Sequence, residues 1–229
     1  MSQRARIALF DLDHTLLPID SDFTWTSFTN AMGWTHPQEV QRQNEAFYAD
    51  YREGRLDMHA YIRFVTQAVR DLTPQQLHAV RERYVREFIC PHVLPPALDL
   101  LQRHRDAGDT LLITTATNRF IAGAVGAQFG FSDDQILATE LQYTADGRIS
   151  GEMAGLPNLR EGKVHKLQHW LAARRLEWDG IHLTFYSDSL NDLPLLEKAQ
   201  EPVATNPDAA LRALAADRGW RILDLFPTR

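Results

Sequence analysis

Apolar residues gather first at Ile7-Ala8-Leu9-Phe10, a run too short for a typical helix and bounded by charge. Such a run predicts a strand buried on both faces. The pattern then changes. From about Asp20 to His92 the spacing is helical and no strand stands out. Phe47, Tyr51, Leu56 and then Tyr61, Ile62, Phe64 and Val65 punctuate polar residues at three- and four-residue intervals. Thr73-Pro74 followed by Gln75-Gln76 predicts an N-cap with Pro at the first helical position. The helix it opens carries Leu77, Val80, Tyr84, Val85 and Phe88-Ile89. Leu17-Pro18 and Cys90-Pro91 bracket this helical block.

Beyond it, strand and helix patterns alternate. Pro95-Pro96 opens a helix ending near Gly108, and Thr110 to Thr114 (TLLIT) reads as the next strand. Thr115 to Asn118 leads into a helix with Phe120, Ile121, Val125 and Phe129, closed at Gly130. Ile136 to Ala138 predicts a short strand. Leu141 to Ser150 predicts a hairpin about Asp146-Gly147, a strong turn dipeptide. A helix follows from about Glu161 to Arg175, then a β-prone stretch from Ile181 to Tyr186. A short strand at Pro202 to Ala204, a helix after Pro207 and an edge strand at Trp220 to Leu223 complete the chain. The alternation predicts an α/β protein with a doubly wound, mostly parallel, Rossmann-like sheet. The core takes residues 1–17 plus 93–229, and 18–92 form an inserted all-helical domain.

Composition narrows the class. With 229 residues, 44% of them hydrophobic, the chain can bury a sizeable core. Its net charge of −6 argues against non-specific nucleic-acid binding. No apolar run is long enough to span a bilayer, and MSQRARIALFD lacks a signal-peptide layout. The single cysteine, Cys90, fits a reducing compartment and hence a cytoplasmic location. Its neighbours Ile89 and Pro91 predict a packed residue. Nothing in the sequence sets the oligomeric state.

Four polar clusters sit at strand ends or a helix start: Asp11 to Thr15, Thr115 to Thr117, Lys163, and Asp188 to Asp192. In a parallel sheet the strand-end clusters fall on one edge, where open α/β sheets bind ligands. Two carboxylates as close as Asp11 and Asp13 repel unless a cation lies between them, and Mg²⁺ prefers hard oxygen ligands. An ammonium and a metal can neutralise a phosphomonoester, while hydroxyls and loop amides hold its oxygens. One carboxylate can attack phosphorus and a second can handle the leaving-group proton. Each cluster has a plainer reading: Asp188 and Asp192 can cap a helix, as can Thr115 and Thr117, and Lys163 can be a solvated helix lysine. His104, His165 and His169 have no partner at metal-ligand spacing and read as surface or packing residues.

Taken in order, the four clusters resemble the motifs of the haloacid dehalogenase superfamily, in its phosphatase branch close to the phosphoserine phosphatases. DLDHT matches D-x-D-x-T, and SDSLND matches G-D-x-x-N-D with Ser187 in place of Gly. The resemblance implies Asp11 as nucleophile and metal ligand. It implies Asp13 as general acid/base that also offers its carbonyl to Mg²⁺, and Thr15 as a support of the loop. Thr115, with Thr114 as the fallback, and Lys163 would bind phosphate. Asp188 would ligate the metal directly, and Asp192 and Asn191 would support it from behind or contact phosphate. Residues 18–92 would be the helical cap. The implied enzyme is a Mg²⁺-dependent hydrolase of small phosphomonoesters working through an aspartyl-phosphate. A phosphotransferase to an alcohol acceptor and a non-catalytic metal- or phosphate-binding module are the alternatives.

The cap should set specificity. Asp20 lies where phosphoserine phosphatases place a Glu for the substrate amine, and Asp22 is a second candidate; both can equally be helix N-caps. The S-L-R-x-R-V stretch of those enzymes is missing near Leu56 to Phe64, with Arg63 and Arg55 as poor substitutes. An amine-bearing phosphate without a carboxylate, such as histidinol phosphate, fits better than phosphoserine, with aromatic contacts from Phe23 or Trp25.

Overall fold

A computed structural model describes residues 4–226. Seven strands form one sheet: β1 (Ala5–Phe10), β2 (Thr110–Asn118), β3 (Ile136–Tyr143), β4 (Ile149–Ala154), β5 (Ile181–Ser187), β6 (Glu201–Thr205) and β7 (Arg221–Leu223). Their order is β4-β3-β2-β1-β5-β6-β7, with β1 central and only β4 antiparallel to its neighbour. The α/β, mostly parallel fold follows from the alternation read in the sequence.

The pleat of β1 explains why its whole run is apolar. Ala8 and Phe10 join the core on one face, and Ile7 and Leu9 join the core on the other. Helices α5 (Pro95–Asp106) and α6 (Arg119–Gln128) cover the first face. Helices α7 (Glu161–Ala173), α8 (Leu193–Leu196) and α9 (Ala209–Asp217) cover the second. Parallel strands buried on both faces must put their polar chemistry at their ends, and that is where it lies.

Between β1 and β2 every regular element is helical: α1 (Ser21–Ala31), α2 (Pro37–Arg52), α3 (Met58–Thr66) and α4 (Pro74–Tyr84), the last running into a π turn at Val85–Ile89. Thr73 and Gln76 close the expected capping box at α4. The helical insert does not keep a separate core. Trp25, Phe28, Ile62, Phe64 and Tyr84 merge with Phe120 and Val125 of α6 into one apolar cluster.

Three local readings need correction. Strand β2 continues through Thr115, Ala116 and Thr117, and Asn118 is the residue that caps α6, its Oδ1 accepting from Ile121 N–H at 3.2 Å. Strand β3 runs to Tyr143, because pairing with β4 prolongs it beyond Ala138. Cys90 is exposed, its Sγ 3.5 Å from Gln128 Oε1. Ile89 takes the buried place as the π turn passes into a single 3-10 turn at Cys90–His92. The Asp146-Gly147 turn forms as expected, with Gly147 at φ 81°. Among the described residues, no helix is long and apolar enough to cross a membrane.

Candidate active site

The C-terminal ends of β1, β2 and β5 open into one cavity of about 240 Å³ beneath the helical insert. Asp11, Asp13, Thr115, Lys163, Asp188 and Asn191 all line it. Asp11 extends the sheet by one bond, its N–H donating to Tyr186 O at 2.9 Å. The loop then turns at His14, whose φ is +56°, and Asn206 holds the turn by donating to His14 O at 2.8 Å.

Lys163 is buried at 1% exposure and sits between two acids. Its Nζ donates to Asp11 Oδ1 at 3.0 Å and to Asp192 Oδ2 at 2.7 Å. Burial alone would push the ammonium down, but the charges of Asp11 and Asp192 outweigh it and hold it above its ordinary value. Burial pushes Asp192 up to about 6, against the pull of Lys163. Ser187 Oγ also donates to Asp192 Oδ2, at 2.7 Å, so the Ser in place of the motif's Gly has work as a donor. Asp192 Oδ1 is buried without a partner.

Asp11 is raised by burial first, with Lys163 opposing and Asp13 adding. Asp188 is raised well above its usual range by burial, then by Asp11 and Asp192. Its Oδ1 accepts from Thr15 Oγ1 at 3.5 Å, and no ion pair to it occurs among the described residues. One ammonium therefore serves a group of three carboxylates, Asp11 and Asp192 buried and Asp188 half-buried. The shortage is one of positive charge.

Asp13 is held differently. Ser21 N–H, at the start of α1, donates to Oδ1 at 2.7 Å, and Thr117 Oγ1 donates to Oδ2 at 2.8 Å. Burial and the charge of Asp20 push it up to about 6, against those two bonds. Thr115 Oγ1 accepts from Thr117 N at 3.1 Å, which leaves its own proton free to donate. Thr114, the fallback, faces away and accepts from Asn158 Nδ2 at 3.0 Å. Asn158 also donates to Thr115 O and Leu137 O, tying the loop before α7 to the ends of β2 and β3. Asn191 Nδ2 donates to Tyr51 O of the insert at 2.8 Å.

In the insert, Asp20 and Asp22 both line the cavity. Asp20 is also the N-cap of α1, accepting from Phe23 N at 2.8 Å. Asp22 is buried and accepts from Asn118 Nδ2 at 3.2 Å; burial, then Asp20 and Asp13, push it well above its usual range. Trp25 does not reach the cavity, and its assignment to the substrate is corrected. Three residues beyond Asp22, it turns to the helix's inner face, packs on Phe28, Tyr84 and Phe120, and donates to Val65 O at 2.9 Å. Phe23, half exposed, lines the cavity instead, with Tyr48, Tyr51 and Tyr61. Arg63 pairs with Glu152 and Arg55 with Asp50 and Glu53, all outside the cavity, whereas Arg52 lines it.

The residues the motif reading passed over are Thr117, Asn158, Ser187 and Tyr51. Two of them leave a trace in the sequence: Thr117 shares a face with Thr115 in a strand that continues, and Ser187 stands where the motif has Gly.

The family model for haloacid dehalogenase-like hydrolases matches residues 8–197, a span that holds every strand-end cluster of the cavity. The chain belongs to that family. A histidinol-phosphatase of Neisseria meningitidis serogroup C is 40% identical over 219 residues, covering 95% of this chain and 98% of that one. A phosphoserine phosphatase of Mycobacterium tuberculosis is 30% identical over 230 residues, covering 95% of this chain and 70% of the other. A solved structure from Bordetella pertussis Tohama I, of a protein with unknown function, superimposes with a TM-score of 0.89 at 38% identity, covering 98% of this chain and 100% of that one. Within the haloacid dehalogenase-like hydrolases, this member is a phosphatase.

Proposed function

We propose that the chain is a Mg²⁺-dependent phosphomonoesterase that works through a phospho-Asp11 intermediate, with residues 18–92 as its cap. The observation that carries this reading is the position of Lys163 Nζ, 3.0 Å from Asp11 Oδ1 inside a cavity that Thr115 and Asp188 also line.

The donor set fits a hard divalent ion. Asp11 is a buried carboxylate and Asp188 a half-buried one, both short of positive charge and both oxygen donors. No group of three His, Cys, Asp or Glu side chains able to hold a metal occurs among the described residues. Mg²⁺ is commonly bound by one or two carboxylates and keeps several waters, which two carboxylates can satisfy. Asp11 and Asp188 would hold it through their side chains, and Asp13, whose carboxylate is turned to Ser21 and Thr117, through its backbone carbonyl. When bound, Mg²⁺ supplies positive charge to the phosphoryl oxygens.

The chain's own residues do the rest. Lys163 and the Thr115 hydroxyl bind phosphate oxygens, with Asn191 beside them. An Asp11 oxygen attacks phosphorus, the ester P–O bond breaks, and Asp13 gives its proton to the departing alkoxide. Asp13, now a carboxylate, takes a proton from water as that water attacks the phosphorus of phospho-Asp11. The P–O bond to Asp11 breaks, inorganic phosphate leaves, and both acids return to their starting forms.

For substrate we propose an amine-bearing phosphate such as histidinol phosphate. Asp20 and Asp22 in the cavity wall, and the name of the relative at 40% identity, support it. Arg52 favours a second reading, a phosphate that also carries a carboxylate, such as phosphoserine. A panel of phosphomonoesters with Mg²⁺ or EDTA separates them. Higher kcat/KM on histidinol phosphate is expected; a marked preference for phosphoserine would select the second reading. Asp11→Asn should abolish turnover and acid-stable labelling by ³²P-substrate, and full activity in that variant or in EDTA would refute the mechanism.

A further inference from the structure

We propose that Thr117 is a positioning residue for Asp13, holding the acid/base carboxylate in both of its protonation states; this rests on the acid/base role proposed for Asp13 above. The contact is specific. Thr117 Oγ1 lies 2.8 Å from Asp13 Oδ2, inside a pocket where Thr117 is only 4% exposed. Ser21 N–H fixes the other oxygen at 2.7 Å. The two donors sit on different elements, the end of β2 and the start of α1, so together they set the plane of the carboxylate.

The two donors are not equivalent. A backbone N–H can only donate, whereas a hydroxyl donates or accepts as it rotates. An acid/base group must be a carboxylate in one half of the cycle and an acid in the other. Thr117 donates to Oδ2 while Asp13 is ionised. When Oδ2 carries the proton for the leaving group, the Thr117 hydroxyl has a second partner to turn to, Ser21 Oγ at 3.5 Å. Asp13 thus keeps its orientation through the transfer without an unpaired donor left against it. The backbone of Thr117 is itself fixed, its N–H donating to Thr115 Oγ1 at 3.1 Å. The hydroxyl that holds the acid/base and the hydroxyl proposed to hold phosphate are therefore set by one strand end.

Thr117→Val keeps the shape and removes the donor, and Thr117→Ser keeps the hydroxyl. For Thr117→Val we expect kcat on an alkyl phosphate to fall about tenfold to a hundredfold with KM changed less than about threefold, part of the usual gain from acid–base catalysis. Thr117→Ser should recover to within about threefold of wild type. With p-nitrophenyl phosphate the leaving group departs without a proton, so the variant should form phospho-Asp11 readily and hydrolyse it slowly. Stopped-flow mixing should then show a burst of p-nitrophenolate equal to the enzyme, absent from the wild type. Thr117→Ala repeats the test should the Val variant fold poorly by circular dichroism. Wild-type kcat in the Val and Ala variants would overturn the proposal, as would equal losses on both substrates with no burst. Asp13→Asn, run alongside, separates the two claims. If it is slow while Thr117→Val is normal, only the positioning role falls; if it is normal, the acid/base reading falls with it.

Discussion

Replacing Lys163 with Met removes a buried charge and keeps most of the side chain's length. The ammonium makes two charge-assisted bonds, 3.0 Å to Asp11 Oδ1 and 2.7 Å to Asp192 Oδ2, where Lys163 and Asp192 are each 1% exposed. Without it, two carboxylates face each other away from water. Removing one member of a buried pair costs about 3–5 kcal/mol, a large part of a domain's stability of about 5–15 kcal/mol. The assay is equilibrium urea unfolding in EDTA, so that no divalent ion stands in for the ammonium. The deficit should depend on pH with a definite sign. Carboxyls whose folded pKa is raised are tolerated while protonated, and they destabilise as pH rises from the unfolded value up to the folded one, which removing the ammonium moves higher still. The deficit should therefore be small near the unfolded carboxylate value of about 4 and grow as pH passes the folded value of Asp192, about 6 with the ammonium present. Adding Asp192→Asn to Lys163→Met takes away one stranded charge and should return at least about 1 kcal/mol. Activity should not return with it, because kcat/KM should stay down by about a hundredfold or more in both variants. A Lys163→Met protein within about 0.5 kcal/mol of wild type would refute the reasoning, as would a double variant no more stable than the single one.

Three other outcomes follow from the packing. A Cβ at Gly162 would lie 1.9 Å from Pro157 O, so Gly162→Ala must shift the start of α7 beside Lys163. It should cost about 1–3 kcal/mol in urea unfolding and lower kcat/KM; an unchanged protein would show that the loop yields freely. Asp109 accepts from Arg6 Nε and from His104 Nδ1, each at 2.6 Å, and although burial works against it these partners hold its carboxyl below the usual range. The stability it contributes is present above about pH 4 and is lost as pH falls through its lowered folded value. Asp109→Asn should therefore cost about 1–3 kcal/mol near neutrality, with the gap to wild type closing in acid; a gap independent of pH would remove the ionic explanation. Trp25→Phe should lose about 1–3 kcal/mol of stability and leave KM within about twofold. A raised KM in a fully stable protein would return Trp25 to the substrate.

The strand ends were legible because a parallel sheet forces the pattern. Residues buried on both faces leave Asp11, Thr115 and Asp188 at or just past the ends of largely apolar runs, and the order of those runs places them on one edge. Lys163 was legible as one of few lysines in the chain, at the start of a helix. What was hidden is what depends on contacts distant in sequence. Asn191 and Tyr51 are 140 residues apart, and nothing local marks a backbone carbonyl as the partner of an amide. Asn158 looks like any loop Asn until three acceptors from β2 and β3 surround it. Trp25 was misread for a local reason. One helical turn puts Asp22 and Trp25 on overlapping faces, but the indole is large enough to reach past the cavity into the shared core of insert and sheet.

That shared core bears on how the insert acts. Among the polar links that join it to the strand ends are Ser21 N to Asp13, Asn118 Nδ2 to Asp22, and Asn191 Nδ2 to Tyr51 O. Each ends on a residue proposed for catalysis or for substrate, or on its sequence neighbour. Lifting α2 away must break the bond from Asn191 and that from the Tyr51 hydroxyl to Ser189 Oγ at 3.4 Å, each at a net cost of about 0.5–1.5 kcal/mol. An Asn amide carries two N–H groups. One holds Tyr51 O, and the other remains for a phosphate oxygen under the proposed function. A phosphate in the cavity would then fix the same amide that fixes α2. The insert would be held down most firmly when the substrate is in place, and release of phosphate would loosen both together.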